Sequence, residues 1–507
     1  MPDLTTQLLD AAESRAADRY AIDELGISGT QLMETAAQAL AEEVLRLAPN
    51  GPLLVAVGKG NNGGDGLAAA RFLRERGREV TVRATCETSE WEGDAAAMLD
   101  TLPGEPPQGL IGGTSGFSCV LDCVLGTGAT GAPYGAVEDG IKLINEARSE
   151  GALVVACDVP SGVDASTGEV AGSCVSADAT VTFHTMKLGQ WINPGKRHAG
   201  AVHLADIGIP QRPTESAVAS LLTNDLVDLI PQRGDGADKF SAGSVLVIGG
   251  SPGLTGAPLL ASLGAARGGA GYVTVALPKS LLSAADSQLE VMGLGLAESG
   301  EFHCAEGVES IFSSGRVPDA IVIGPGIGRG GSVEKAVEKI IASSEAPVVV
   351  DADALRSFAG RPEALAGARS SLVLTPHSGE MASLLGKSRD EVNSHRLAAA
   401  HELADRARAT VVLKGDDTIV AGAGGQTRIS PGGAPALATA GTGDVLSGLI
   451  AAYLAKGVDP TSAAGAAVLV HLEAGRIAGV DGPEGVLAGE IAGSIPEARN
   501  RLRRAGR

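Results

Sequence analysis

The stretch Val55–Leu73, VAVGKGNNGGDGLAAARFL, passes from an apolar strand-length run through a glycine-rich loop into an amphipathic helix. Strand, glycine loop and helix in that order form the repeating unit of α/β domains with parallel sheets. At such a junction, backbone N–H groups and the positive helix end meet a phosphate without basic side chains. NNGGDG is neither GxGxxG nor a P-loop, because no Lys-Ser/Thr follows it, and an ordinary tight turn accounts for the loop taken alone. Asn61 and Asn62 add side-chain carbonyl oxygens, hard donors suited to a cation.

Outward from this unit the same alternation continues almost from end to end. Strands are expected at 52–58, 79–84, 119–126, 152–160, 179–185 and 201–208, with two helices, broken near Gly26 and Gly29, between residues 9 and 47. After Pro210 the pattern lapses into QRPTESAVAS, and a second set of strands starts at SVLVIGG (244–250). It continues through YVTVALP, DAIVIGPGIG, APVVVDADAL, SLVLTPH and ATVVLKGDDTIVAG, then ends in Ala-rich helices around VLSGLIAAYLAKG and SAAGAAVLVHLEAGRIAG. The expected domains are 1–215 and 216–507, two different α/β folds without a shared repeat.

Composition agrees with this division. At about 150 residues per domain, 507 residues imply two to three domains. Asp and Glu number 60 against 40 Lys and Arg, a formal charge of −20 that argues against nucleic acid or an anionic membrane as partner. Phosphate must then be held locally, by loops and helix ends. The six cysteines lie in apolar surroundings without CxxC and read as buried thiols of a reducing compartment. The N-terminus has no apolar signal region, and SPGLTGAP interrupts the uncharged stretch 240–266, which reads as strand, loop and helix. A cytoplasmic protein is expected.

Two further strand ends in the first half carry polar groups at the edge where α/β sheets bind ligands. Asp122 lies inside the apolar strand of VLDCVLGTGATGAPYG, and Asp158 and Ser161 close VVACDVPSGVDASTG. A carboxylate in such a strand needs hydrogen bonds or a cation. GNNGGDG, LDCVLGTG and DVPSGVDASTG together resemble the YjeF N-terminal family, the NAD(P)H-hydrate epimerases, over roughly residues 5–212. The resemblance implies a Rossmann-like three-layer domain. It also implies that Asn61, Asn62, Gly63, Gly64, Asp65, Gly126, Thr127, Gly128, Ala129, Thr130, Gly131, Ala132 and Asp158 contact the hydrated dinucleotide, and that Asn62, Asp122 and Ser161 bind potassium. Whether Asp122 is a base, a cation ligand or both stays open. Lys187 matches a basic position of that family without an assigned role.

In the second half, ATAGTGDVLSGLIAAYLA (438–455) places a glycine-rich turn and Asp444 at a helix start. Backbone N–H groups there suit phosphate oxygens, and Asp444 suits removal of a proton from an attacking hydroxyl; a helix cap explains the Asp but not the GTG before it. Asp351 and Asp353, in VVVDADAL, are candidates for a Mg²⁺ site through water, or equally caps. IGGSPGLTGAPLLA, ARGGAGYV, IGPGIG, DADAL, LTPHSGE, VLKG and AGTGD, in that order, resemble the ribokinase-like NAD(P)H-hydrate dehydratases over residues 222–505. The resemblance implies that Ala257, Gly328, His377, Ser378, Gly379, Glu380, Met381, Ala382, Ser383 and Asp444 hold the hydrate. It implies that Lys414, Gly415, Asp416, Asp417, Thr418, Ala434, Ala440, Gly441, Thr442 and Gly443 hold the nucleotide.

Both halves together are similar to bifunctional NAD(P)H-hydrate repair enzymes. The resemblance implies epimerisation of NADHX and NADPHX in the first domain and ADP- or ATP-dependent dehydration in the second. Asp444 and Asp122 are the expected catalytic residues, magnesium accompanies the nucleotide, and a homo-oligomer is expected. Two other possibilities are a C-terminal kinase for a vitamin-precursor alcohol and a non-catalytic N-terminal ligand-binding module.

Overall fold

The computed structural model describes residues 6–110, 112–210, 219–236, 238–239, 241–313 and 317–506. The chain divides into two compact units, Met1–Ser220 and Leu221–Arg507. The division falls five residues beyond the expected 215/216 boundary, and residues 211–218 of the expected linker lie outside the described residues.

In the first unit, β1 (Gln7–Leu9) precedes the helices Ala11–Asp23 and Gly29–Leu47, which break where Gly26 takes φ +71° and Ser28 caps the second helix. The strands β2 (Leu53–Val57), β3 (Val80–Ala84), β4 (Gln108–Gly109), β5 (Cys119–Cys123), β6 (Leu153–Cys157), β7 (Ala179–Phe183) and β9 (Ala201–Ala205) form a parallel sheet in the order β4-β3-β2-β5-β6-β7-β9. The order reverses between β2 and β5, so the loops after these two strands flank a crevice at the sheet's carboxyl edge. Along β2 the residues alternate: Leu53, Val55 and Val57 pack into one apolar cluster, Leu54 and Ala56 into another on the opposite face. All five are fully buried, as expected of a sheet covered by helices on both sides.

A short β8 (Met186–Lys187) pairs in parallel with β1, and β10 (Ala219–Leu221) pairs antiparallel with β1. This pairing sets the helix Ala11–Asp23 beside Lys187. A capping box starts that helix: Asp10 Oδ1 accepts from the N–H groups of Ala12 and Glu13, and Glu13 accepts from the N–H of Asp10.

The second unit is built on β11 (Ser244–Ile248), β12 (Tyr272–Pro278), β13 (Met292–Leu296), β16 (Ala320–Ile323), β17 (Val348–Val350), β18 (Leu372–Leu374) and β19 (Thr410–Leu413), all parallel, in the order β13-β12-β11-β16-β17-β18-β19. A small hairpin of β14 (Glu298–Ser299) and β15 (Phe302–His303) follows β13. β20 (Ile419–Ala421) and β21 (Thr427–Ile429) extend the sheet antiparallel from β19, so ATVVLKGDDTIVAG is a hairpin. The helices Gly256–Gly268, Thr442–Leu454, Pro460–Ala478 and Ala488–Ala505 supply much of one buried layer, rich in Ala and Leu. Among the described residues no helix is long and apolar enough to cross a membrane. Cys119, Cys123, Cys157 and Cys304 are buried as expected, whereas Cys86 and Cys174 are only half-buried.

Candidate active sites

A cleft of about 880 Å³ opens at the carboxyl edge of the first sheet. Asn61, Asn62 and Asp65, the whole loop 126–132 and Asp158 line it, together with Asp18, His184 and Lys187. Gly63 and Gly64 do not line it. A Cβ on Gly63 would stand 1.8 Å from the Gly58 carbonyl oxygen, so this glycine serves close packing of helix against strand.

Asp122 also lies behind the cleft wall, since strand alternation turns it to the face of Val120 and it is fully buried. Its Oδ2 accepts from the Ser161 N–H at 2.7 Å, and its Oδ1 from the Ser161 hydroxyl at 2.5 Å and the Val124 N–H at 3.3 Å. Burial pushes this carboxyl up to about 6, against the pull of those hydrogen bonds. Ser161 Oγ in turn accepts from the Leu125 N–H, and Asn62 Nδ2 donates to the Leu125 carbonyl at 2.9 Å. Asn62, Asp122 and Ser161 are thus brought together around Leu125. As a base in direct contact with a ligand in the cleft, however, Asp122 is poorly placed.

Asp158 occupies the left-handed backbone region at φ +64°. Its Oδ1 lies 2.6 Å from Lys187 Nζ and accepts from the Thr182 hydroxyl at 2.9 Å, and Lys187 also donates to Thr182 Oγ1 and to the Phe183 carbonyl. The lysine is 4% exposed, a buried cation held by a carboxylate and two neutral oxygens.

In the second unit, the loops after β11, β16, β17, β18 and β19 gather at one sheet edge. Ser251 Oγ donates to the Gly326 carbonyl, a Cβ on Gly326 would meet Ala257, and a Cβ on Gly328 would meet Ser251, so the SPGLTGAP and GPGIG loops abut. Asp351 is buried after β17. Its Oδ1 accepts from Thr375 at 2.7 Å and from Lys414 Nζ at 3.1 Å, and its Oδ2 from Ser447. Asp353 turns away toward Arg329 and Arg356. Asp351 is thus engaged by buried donors and Asp353 by arginines.

Asp444 stands in the first turn of the helix Thr442–Leu454, which starts directly after Gly441 at φ +91°. Burial and the neighbouring Asp351 push its carboxyl up, Lys414 pulls it down and Glu380 pushes it up, and the balance settles at about 7. A Cβ on Gly443 would stand 3.5 Å from Lys414 Nζ, which fixes the GTG turn beside that ammonium. The helix Ser378–Leu385 is capped by His377, whose Nδ1 accepts from the N–H groups of Gly379 and Glu380, while Glu380 accepts from the His377 N–H. Within His377–Ser383, Glu380, Met381 and Ala382 are buried.

Asp417, expected to touch nucleotide, is 1% exposed and paired with Arg396 at 2.8 Å. Arg396 also donates to Ser378 Oγ and the Lys414 carbonyl, tying two loops that stand apart in sequence. A Cβ on Gly433 would lie 2.9 Å from Asp416 Cβ, which brings the segment before Ala434 against Lys414–Thr418.

Comparison with known proteins matches the NAD(P)H-hydrate dehydratase family to residues 245–497 and the YjeF-related protein N-terminus to residues 29–189. The chain is 37% identical to the bifunctional NAD(P)H-hydrate repair enzyme of Moorella thermoacetica, over 96% of both chains. It belongs to the family of bifunctional NAD(P)H-hydrate repair enzymes. The enzyme of that name from Escherichia coli is 32% identical over 97% of this chain and 93% of its own. A solved ADP/ATP-dependent NAD(P)H-hydrate dehydratase from Bacillus subtilis, co-crystallised with ATP/Mg²⁺, aligns with 56% of this chain and 98% of its own at 28% identity and a TM-score of 0.49.

In this repair enzyme the sequence motifs marked the loops but not their supports. In the dehydratase unit Thr375 and Ser447 lie inside LTPHSGE and ATAGTGDVLSGLIAAYLA but had no role assigned to them there. Arg396 carries no motif, and neither does His471, buried in the helix Pro460–Ala478. Burial pushes this imidazole down to about 4, and it bonds to the backbone of Thr442. In the YjeF-related unit, Asp18 and His184 were likewise missed. Asp18 lies on the helix Ala11–Asp23, ahead of the matched segment, and its Ala-rich surroundings signal only a helix face.

Proposed function

We propose that the enzyme restores hydrated NADH and NADPH in two steps, one in each unit. The substrate carries a hydroxyl on the ring carbon next to the nicotinamide nitrogen, and hydroxide is a poor leaving group. In the dehydratase unit Asp444 removes the proton of that hydroxyl as its oxygen attacks the terminal phosphoryl of ADP, or of ATP, releasing AMP or ADP. The C–O bond then breaks with phosphate leaving, and loss of a proton from the adjacent ring carbon restores the double bond. N–H groups of the turn Gly441–Gly443 receive phosphoryl oxygens, and Lys414–Thr418 with Ala434 border the nucleotide.

The single observation that carries this reading is the Asp444 carboxyl, at about 7, on a glycine turn beside Lys414. A base poised near neutrality is what removal of a hydroxyl proton requires. Among the described residues no three His, Cys, Asp or Glu side chains group as metal ligands, so magnesium would be held by the nucleotide's own phosphates.

Dehydration acts on the S epimer, and the first unit interconverts R and S in the cleft lined by Asp65, Asp158 and the loop 126–132. Asn62, Asp122 and Ser161 would hold potassium. Their donors are oxygens, and no cationic side chain pairs with the buried Asp122 among the described residues. The ion would balance that carboxylate and steady the loop after β5.

The test is recovery of NADH from its purified S hydrate with ADP or ATP. Asp444→Asn is expected to lower the rate by about 10²- to 10⁴-fold while epimer exchange continues. Undiminished recovery would remove Asp444 from the chemistry.

A further inference from the structure

Epimerisation at the hydroxyl-bearing carbon sets a demand on the cleft. The C–O bond breaks on one face as the ring nitrogen's lone pair forms a C=N bond, and the leaving hydroxide takes a proton. Water then adds to the other face and gives up a proton as the C=N bond returns to the nitrogen. One group must donate and a second must accept, and the two exchange roles in the reverse direction.

Five carboxyls line the cleft: Asp18, Asp65, Glu90, Asp94 and Asp158. Asp158 is held by Lys187 and Thr182, and Lys187 has its three protons directed at Asp158, Thr182 and Phe183. Glu90 caps the N–H of Glu87 and faces Lys59. Asp94 is pressed against Gly29, where a Cβ would stand 2.1 Å from its Oδ2, at the start of the helix Gly29–Leu47. Asp65 and Asp18 remain. Neither accepts a hydrogen bond from any described residue, and they come from different helices, Asn61–Glu75 and Ala11–Asp23. A separate observation marks the cleft as built for a polar ligand: His184, 92% buried and part of the lining, leaves Nε2 without a partner.

We propose that Asp65 and Asp18 are the acid–base pair of epimerisation, one serving each face of the ring. The proposal rests on the reading of this cleft as the epimerase site. Their environment agrees with it. Burial, then Asp158 and Asp18, push the Asp65 carboxyl well above the ordinary range. Asp18 is raised as well by burial, while Lys187 pulls it back and Asp158 adds a smaller push upward. Two carboxyls that both hold their protons more tightly than usual therefore share one cleft, where they can exchange the roles of donor and acceptor.

The test follows exchange of purified R into S hydrate by the full-length enzyme in H₂¹⁸O. The wild type is expected to incorporate one solvent oxygen per inversion. Asp18→Asn and Asp65→Asn should each lower kcat at least 100-fold with KM within about threefold, Asp18→Glu should recover part of kcat, and dichroism should confirm folded protein. Inversion with oxygen retained, wild-type kcat in either Asn variant, or loss confined to KM would overturn the pair. Gly128→Trp, which fills the cleft from a position with no atom within 4 Å of its Cβ, separates the two levels. If exchange survives Gly128→Trp the cleft is not the epimerase site; if it is lost there but persists in Asp18→Asn, only the acid–base assignment fails.

Discussion

Lys414 Nζ stands 3.1 Å from Asp351 Oδ1, although the residues are 63 positions apart and follow different strands. Burial raises the Asp444 carboxyl most, Asp351 raises it further and Lys414 lowers it, so this pair adjusts the proton affinity of the proposed base. The Asp351 carboxylate is 2% exposed, and Lys414 is its only cationic partner among the described residues.

Dehydration should therefore follow the ionised fraction of Asp444. Because the group must be deprotonated to act, the rate is expected to fall about tenfold per pH unit below 7 and to level off above it. Rates of NADH recovery between pH 5 and 9 check this. A profile flat across pH 6 to 8 would argue against a base of this kind.

Replacing Lys414 by Met removes the cation that lowers Asp444, so the rising limb of that profile should move to higher pH. The same change leaves Asp351 buried without its cation, at a cost of about 3–5 kcal/mol. Urea unfolding and the pH profile measure the two effects separately. An unshifted limb in a folded variant would show that Lys414 does not govern Asp444.

The pair Arg396–Asp417, with side chains 5% and 1% exposed, should behave as a buried ion pair. Arg396→Leu or Asp417→Leu alone is expected to cost about 3–5 kcal/mol, whereas the double variant should recover much of the loss because no charge is left unpaired. Arg396→Leu should also raise KM for the nucleotide, since Ser378 and the Lys414 carbonyl lose their common tether. Additive single effects would contradict the pairing.

Potassium should stabilise the first unit above pH 6. The Asp122 carboxyl is raised in the folded protein to about 6, so its contribution is full below the ordinary value near 4 and is lost as pH rises through 6. Above that pH a bound cation offsets the loss, by about 2.7 kcal/mol at 100 times Kd. Melting temperatures in potassium and choline chlorides at pH 5 and 8 test it. Asp122→Asn should erase the difference, and equal melting in both salts at pH 8 would exclude a potassium site.

Much of the architecture was legible along the chain. Runs such as Leu53–Val57 are short, uniformly apolar and followed by glycine loops, and the helices beside them have a period that one face must bury. The glycines of GNNGGDG and AGTGD marked the loops for the same local reason. The partners of the polar residues were not legible. Asp122 meets Ser161 across 39 positions, and Asp351 meets Ser447 across 96. Nothing in a local pattern encodes such a meeting.

The sequence by itself determined two α/β units, their strands and the loops at which polar chemistry collects, because periodicity and turn residues act over a few neighbours. Only the tertiary structure decided that Asp351 faces Lys414, that Asp122 lies behind the cleft, and that Asp18 enters it. Strand order decides these relations: parallel pairing brings the carboxyl ends of distant strands to one edge, and burial there requires each charge to find a partner or shift its proton affinity.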